Sequence, residues 1–108
     1  MSFLAEETHE WLLAFYVDDE LNLLATDTIA KGTIDSVTLD FGLVICRGRA
    51  IGAKGFFLVH NHPSGDATPS ERDIALTQHL RRTSADLGIP LLDHFIVAGD
   101  NMEVVGTW

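Results

Sequence analysis

The chain reads as an α/β (α+β) protein, a mixed central sheet with helices packed against it. Three observations predict this. Its segments alternate in the order β-β-α-β-α-β-β. One of them, Phe56-Phe57-Leu58-Val59, is a short, wholly apolar run of the kind a sheet buries on both faces. A capped segment with helical spacing follows it and stops at a Gly and a Pro, as a helix laid over that sheet would.

The elements follow in order. Trp11–Val17 is apolar and aromatic, Asp18-Asp19-Glu20 is turn-like, and Leu21–Ile29 is mostly apolar with Thr interspersed, which together read as a hairpin. Asp35, Ser36 or Asp40 caps a helix running to about Ile51. Gly42 and Gly48 lie inside it, each costing roughly 1 kcal/mol against Ala, and Gly52 and Gly55 bracket its exit. After the apolar strand, Pro63-Ser64-Gly65-Asp66 is loop chemistry. A helix begins at Ser70 with Ile74, Leu76, Leu80 and Leu87 on or near its buried stripe; it ends at Gly88, and Pro90 follows. Leu91–Ala98 is a further strand, Gly99-Asp100-Asn101 a turn, and Met102–Thr107 the last strand.

With 108 residues, 46% of them hydrophobic and 21% charged, the chain is a folded single domain, residues 1–108. Its longest apolar runs, such as Phe56–Val59 and Leu43–Cys46, fall far short of the roughly 20 residues a membrane helix needs. The acidic start, Met1 to Glu7, has no basic region followed by an apolar one, so no signal peptide is read there and a cytoplasmic location is expected. One cysteine excludes an internal disulfide and a multi-cysteine zinc site. A formal charge of −9 repels phosphates, so nucleic acid is expected only as a weak partner. Arg47/Arg49 and Arg81/Arg82 read as solvated helix and loop faces rather than a binding groove.

The chemistry concentrates in His60-Asn61-His62-Pro63 and Ser70-Glu71-Arg72-Asp73. Strand side chains alternate, so His60 and His62 present two imidazoles on one face at the carboxyl end of a buried strand, the edge where open α/β sheets bind ligands. Pro63 breaks the strand, the loop reverses the chain, and the next helix carries Asp73 in its first turn, able to point back at both histidines. Two imidazoles and a carboxylate leave one position of a tetrahedral Zn²⁺ open to water, as catalytic sites do. Such a water has a pKa near 7. Ser70 and Asp73 taken alone form a helix-capping pair, and a lone His at a strand end is usually structural. Paired imidazoles closing an apolar strand, beside that cap, favour a metal site instead, because each would otherwise need a polar partner.

Other metal chemistries fit less well. The helical His-Glu-x-x-His of the zincins is absent. A zinc deaminase needs His-x-Glu and a later Pro-Cys-x-x-Cys, whereas position 62 is His and the chain has one cysteine. The letters His-Asn-His match the name of a nuclease motif by coincidence, since there the named residues are scattered.

His-x-His, seven residues, Ser, two residues, Asp resembles the JAMM signature of the JAB/MPN metallopeptidases. The longer string from His60 to Thr77 is similar to their bacterial RadC branch, as are Leu87–Val97 and Ala30-Lys31-Gly32-Thr33. The likeness runs from about Glu10 to Val105. It implies a cytidine-deaminase-like α-β-α sandwich around the mixed sheet, with His60, His62 and Asp73 as ligands to Zn²⁺. It also implies a general base on the first strand, which falls on Glu10 with Glu6 and Glu7 as competitors, and an oxyanion-stabilising serine, Ser70. RadC proteins carry a helix-hairpin-helix region before this domain and none is read here, which implies a short stand-alone member or an isolated domain. The stretch Gly42–Ala50 is also glycine-rich for that branch.

Four further residues are weighed. Cys46 reads as core rather than nucleophile. His94 either lines the site or makes a structural hydrogen bond, and His9 and His79 receive no role. The expected function is a zinc-dependent peptidase or isopeptidase acting on a peptide or protein substrate. The alternatives are a DNA-repair or mobile-element accessory domain and a metal-binding interaction module without turnover.

Overall fold

The computed structural model describes residues 10–32 and 41–105. In chain order the elements are β1 (Glu10–Val17), β2 (Leu23–Gly32), α1 (Phe41–Ala50), β3 (Gly55–Asn61), α2 (Glu71–Asp86), β4 (Leu91–Ala98) and β5 (Asn101–Val104). The strands form one mixed sheet in the order β2-β1-β3-β4-β5. β3 and β4 are parallel, with α2 as their crossover, and the other neighbours are antiparallel. This is the mixed α+β architecture expected of a JAB/MPN-like fold.

Alternation along β1 sends Leu12, Ala14 and Tyr16 to one side of the sheet and Leu13 and Phe15 to the other. The first side carries the main core, where Phe56 and Leu58 of β3 meet Phe41, Val44 and Ile45 of α1 and Leu76 and Leu80 of α2. Among the described residues both helices pack on that side. The other side buries Leu13, Val59 and Val97 beneath Trp11, Phe15 and Phe95.

Gly48, costly inside a helix, is explained by close approach. A Cβ there would lie 3.3 Å from both the Tyr16 ring and Ile89. Tyr16 donates its hydroxyl to the Val44 carbonyl over 3.1 Å, and burial, reinforced by Asp27, pushes its pKa up to about 12.

Several boundaries and placements differ from the expectations. The first turn extends through Asn22, because the Asp18 carboxylate accepts the Glu20 and Asn22 N–H groups and so delays β2 to Leu23. Cys46 is exposed rather than core: α1 buries positions 41, 44, 45 and 48, and residue 46 falls off that stripe. In α2 the buried stripe is Asp73, Leu76, Thr77, Leu80 and Ser84, which leaves Ile74 36% exposed and Leu87, the C-cap, 38% exposed. Gly88 at φ 84° ends the helix as anticipated. The last strand stops at Val104; residues 106–108 and the cap candidates Asp35, Ser36 and Asp40 lie outside the described residues. Among the described residues no helix is long and apolar enough to cross a membrane.

Candidate metal centre

The centre is built where β3 ends. His60 pairs with Leu12 of β1 and, by alternation, faces the helix side of the sheet. His62 lies just past the strand and donates its backbone N–H to the Val97 carbonyl over 2.9 Å, which carries the edge of β3 along β4 for one more bond. The chain then reverses: the Gly65 N–H reaches the His62 carbonyl at 3.1 Å, with Gly65 at φ 89°, a conformation glycine adopts without strain.

Ser70 caps α2. Its Oγ accepts the Asp73 N–H at 3.0 Å, and Asp73 Oδ2 accepts the Ser70 N–H at 2.9 Å, a reciprocal capping box. The cap fixes the carboxylate of Asp73, a residue 4% exposed, against the histidines. His62 Nε2 lies 3.0 Å from Asp73 Oδ2 and His60 Nδ1 lies 3.3 Å from Asp73 Oδ1. The imidazole rings stand edge to face with centroids 5.0 Å apart.

The donor chemistry of this cluster fits a cation. His62 Nδ1 sits 2.9 Å from the Asp66 carbonyl, which can only accept, so Nδ1 carries the proton. In the neutral ring Nε2 is then a lone pair facing a carboxylate oxygen at 3.0 Å, an arrangement that asks for positive charge between them. Both ring nitrogens of His60 are buried without a hydrogen-bond partner among the described residues, since the 3.3 Å approach to Asp73 is poorly aligned. Three such atoms on a tetrahedral ion at about 2.0–2.1 Å would stand roughly 3.3 Å apart. Here the three ligand atoms all lie within 4.8 Å of one another, so His60, His62 and Asp73 could hold a metal ion. Burial raises the Asp73 pKa, yet the His60 ring and the Ser70 N–H outweigh it and hold the carboxyl well below the usual range. Asp73 is thus an anion, as a ligand must be.

Glu10 opens β1 on the same side of the sheet, half-buried, with Oε1 3.6 Å from His60 Nε2. Together with Ser70 and Arg72 it lines a cavity of about 460 Å³ over the three candidate ligands. The sequence-read constellation of Glu10, His60, His62, Ser70 and Asp73 is therefore brought together. Glu6, Glu7 and His9 lie outside the described residues.

His94 lies behind the centre rather than in the cavity wall: it is fully buried and stacks on His60 at 6.1 Å between centroids. Its ring nitrogen Nδ1 lies 2.7 Å from Thr77 Oγ1. Thr77 and the buried Asn61 are supporting residues that sequence reasoning passed over. The available signals were a polar residue between two histidines in an apolar strand, and a hydroxyl one helical turn after Asp73.

His79 is exposed on α2. Arg47 pairs with Asp27 at 3.1 Å and Arg49 donates to the Leu87 carbonyl at 2.7 Å, so neither joins the cavity.

The same residues fall in a region shared with known proteins. The chain is 39% identical over 99 residues to a UPF0758 protein of Bordetella petrii, an overlap covering 92% of this chain and 44% of that protein. It is likewise 39% identical over 101 residues to a UPF0758 protein of Ruegeria pomeroyi, covering 94% of this chain and 45% of the other. It thus spans less than half the length of these relatives. The family described as RadC-like JAB domain matches residues 1–105, which takes in every residue of the centre, and the chain belongs to that family.

Proposed function

We propose that this domain is a zinc-dependent hydrolase of peptide or isopeptide bonds, working in the cytoplasm on a peptide or protein substrate. The observation that carries the reading is the pairing of an electron-rich donor set, His60, His62 and Asp73, with a carboxylate that stands beside it in the same cavity. Glu10 lies 3.6 Å from His60 Nε2, close to the three candidate ligands and outside their set. A structural metal site has no need of such a fourth group, whereas general-base hydrolysis does.

Held by His60, His62 and Asp73, a zinc ion supplies Lewis acidity, lowering the pKa of water to about 7 and polarising a carbonyl. The remaining work belongs to the chain. Glu10 takes a proton from the attacking water and delivers it to the leaving amine. Ser70 uses lone pairs to hold the Asp73 N–H, which leaves its own O–H proton to donate to the oxygen that gains charge at the carbonyl. The N-terminus of α2 adds its positive dipole end beside the same point. The Asp66 carbonyl fixes the His62 tautomer, as outer partners of metal-ligating histidines do.

The test is a proteome-derived peptide library incubated with zinc-loaded protein and, in parallel, with chelator-treated protein. Cleavages that appear only in the loaded sample are expected. A library left intact by protein shown to hold zinc would overturn the reading and favour a metal-binding interaction module.

A further inference from the structure

Asn61 stands between the two histidines and is 1% exposed, although nothing in the chemistry above uses it. Its Oδ1 accepts the backbone N–H of Trp11, a residue distant in sequence. The register of β1 on β3 runs from Val17 opposite Gly55 to Leu12 opposite His60 and goes no further. At the next residue of β1 the Asn61 side chain takes over from the ladder, and the residue beyond that is Glu10.

Trp11 is held a second way. Its ring packs into the cluster of Leu13, Val59 and Val97 on the far side of the sheet, with Lys31 Nζ 4.4 Å from its centroid. With Trp11 directed to that side, alternation turns Glu10 to the side of Leu12 and His60. On its other edge this end of β1 is paired with β2, Glu10 opposite Gly32 and Trp11 opposite Lys31, so the Asn61 bond is what ties it to β3, the strand that carries His60.

We infer that Asn61 is a positioning residue: by holding the Trp11 amide it places the Glu10 carboxylate over His60. The inference deepens the hydrolase reading and rests on it for the role of Glu10. A misplacement of about 1 Å at such a group costs on the order of 10²-fold in rate, so the bond matters more to turnover than to stability.

The experiment compares wild type, Asn61→Ala and Asn61→Asp, each loaded with Co²⁺ as a paramagnetic probe. Asn61→Ala is expected to speed hydrogen exchange of the Trp11 amide about tenfold or more and to change the pseudocontact shift of the Glu10 amide. Asn61→Asp keeps an acceptor oxygen and should restore both. A side chain that oriented the ligands themselves would cost about 10- to 100-fold in metal affinity when removed; for Asn61→Ala, Co²⁺ affinity is expected to hold. An unchanged Glu10 shift, or a loss of affinity of that size, overturns the inference.

On a peptide cleaved by the wild type, Asn61→Ala should lower kcat about 10- to 100-fold with KM unchanged. The double variant with Glu10→Gln should be no slower than Glu10→Gln alone; a multiplied loss would also overturn the inference. A wild type that cleaves nothing fails the hydrolase reading, while the exchange and cobalt measurements still decide whether Asn61 holds Glu10.

Discussion

His94 donates its Nδ1–H to Thr77 Oγ1 across 2.7 Å, joining β4 to α2 behind the candidate metal centre. The direction of that bond follows from the other one Thr77 makes. Its single hydroxyl proton goes to the Asp73 carbonyl at 2.7 Å, which can only accept, so toward His94 the oxygen must accept. His94 Nε2 is then a buried lone pair without a hydrogen-bond partner among the described residues.

A pH dependence of stability follows. Burial, helped by neighbouring His60, lowers the His94 pKa to about 4, while an unfolded His titrates near 6.5. Between those values the unfolded chain binds the extra proton, so the contribution is fully present above about pH 6.5 and is lost as pH falls toward 4. Its size is on the order of 3 kcal/mol. Asp73, held low, adds a loss of the same sign below about pH 4. Urea midpoints of metal-free protein between pH 7.5 and 4 should fall. His94→Asn, which keeps a donor for Thr77 but has no proton to gain, should flatten that fall, and an unaltered slope would assign it elsewhere.

Metal content tests the centre directly. Elemental analysis of purified protein should find about one zinc per chain, the complement of a single three-residue site with an open position. His60→Ala, His62→Ala and Asp73→Ala should each remove most of it. Binding should weaken below roughly pH 6.5, where free imidazole gains a proton and cannot ligate. Three variants that all kept full zinc would place the site elsewhere.

Ser70 caps α2, and its proposed role as an oxyanion donor separates from the cap by measurement. As a cap it satisfies the Asp73 N–H, and Ser70→Ala should cost about 1 kcal/mol, a fall in Tm of roughly 5 °C for a domain this size. As an oxyanion donor it should also cost about 10²-fold in kcat. Ser70→Thr keeps the hydroxyl and should recover most of the stability. A Ser70→Ala protein with unaltered turnover would leave Ser70 a cap alone.

Nucleic acid should bind weakly. The formal charge is −9, Arg47 and Arg49 are engaged away from the cavity, and among the described residues Arg72 is the one Lys or Arg that lines it, so little positive charge is placed to neutralise phosphates there. Anisotropy titrations with duplex or single-stranded DNA at physiological salt should show no sub-micromolar, salt-sensitive binding. Finding it would move the DNA-accessory reading ahead of the hydrolase.

The grouping of His60, His62 and Asp73 was legible in the chain because it follows from local rules. Alternation pairs His60 with His62, and a capping pattern places Asp73 at the head of a helix. Glu10 was not legible that way: its place depends on pairing β1 with β3 across about fifty residues, and only the family resemblance pointed to it. Cys46 and Ile74 were misjudged because an apolar run does not say which stripe of a helix faces the sheet. Thr77 and Asn61 escaped because a polar side chain inside an element looks alike whether it meets solvent or a buried backbone group; only the packed structure shows which.

Glu10→Gln separates catalyst from scaffold. The amide matches the carboxylate in size and still hydrogen bonds, but it cannot take a proton from water. Since Glu10 lies outside the donor set of His60, His62 and Asp73, zinc content should be unchanged. Glu10 is also half-buried at the rim of the cavity, so Tm should barely move. Turnover should fall about 10²-fold or more, the scale of a lost general base. Steady-state rates on a cleaved peptide, with zinc measured in the same samples, decide the matter. A slow, zinc-replete Glu10→Gln protein assigns proton transfer to Glu10. One that kept full activity would show that the base lies elsewhere, and Glu6 and Glu7, the nearest carboxylates before it in the chain, would be next to test.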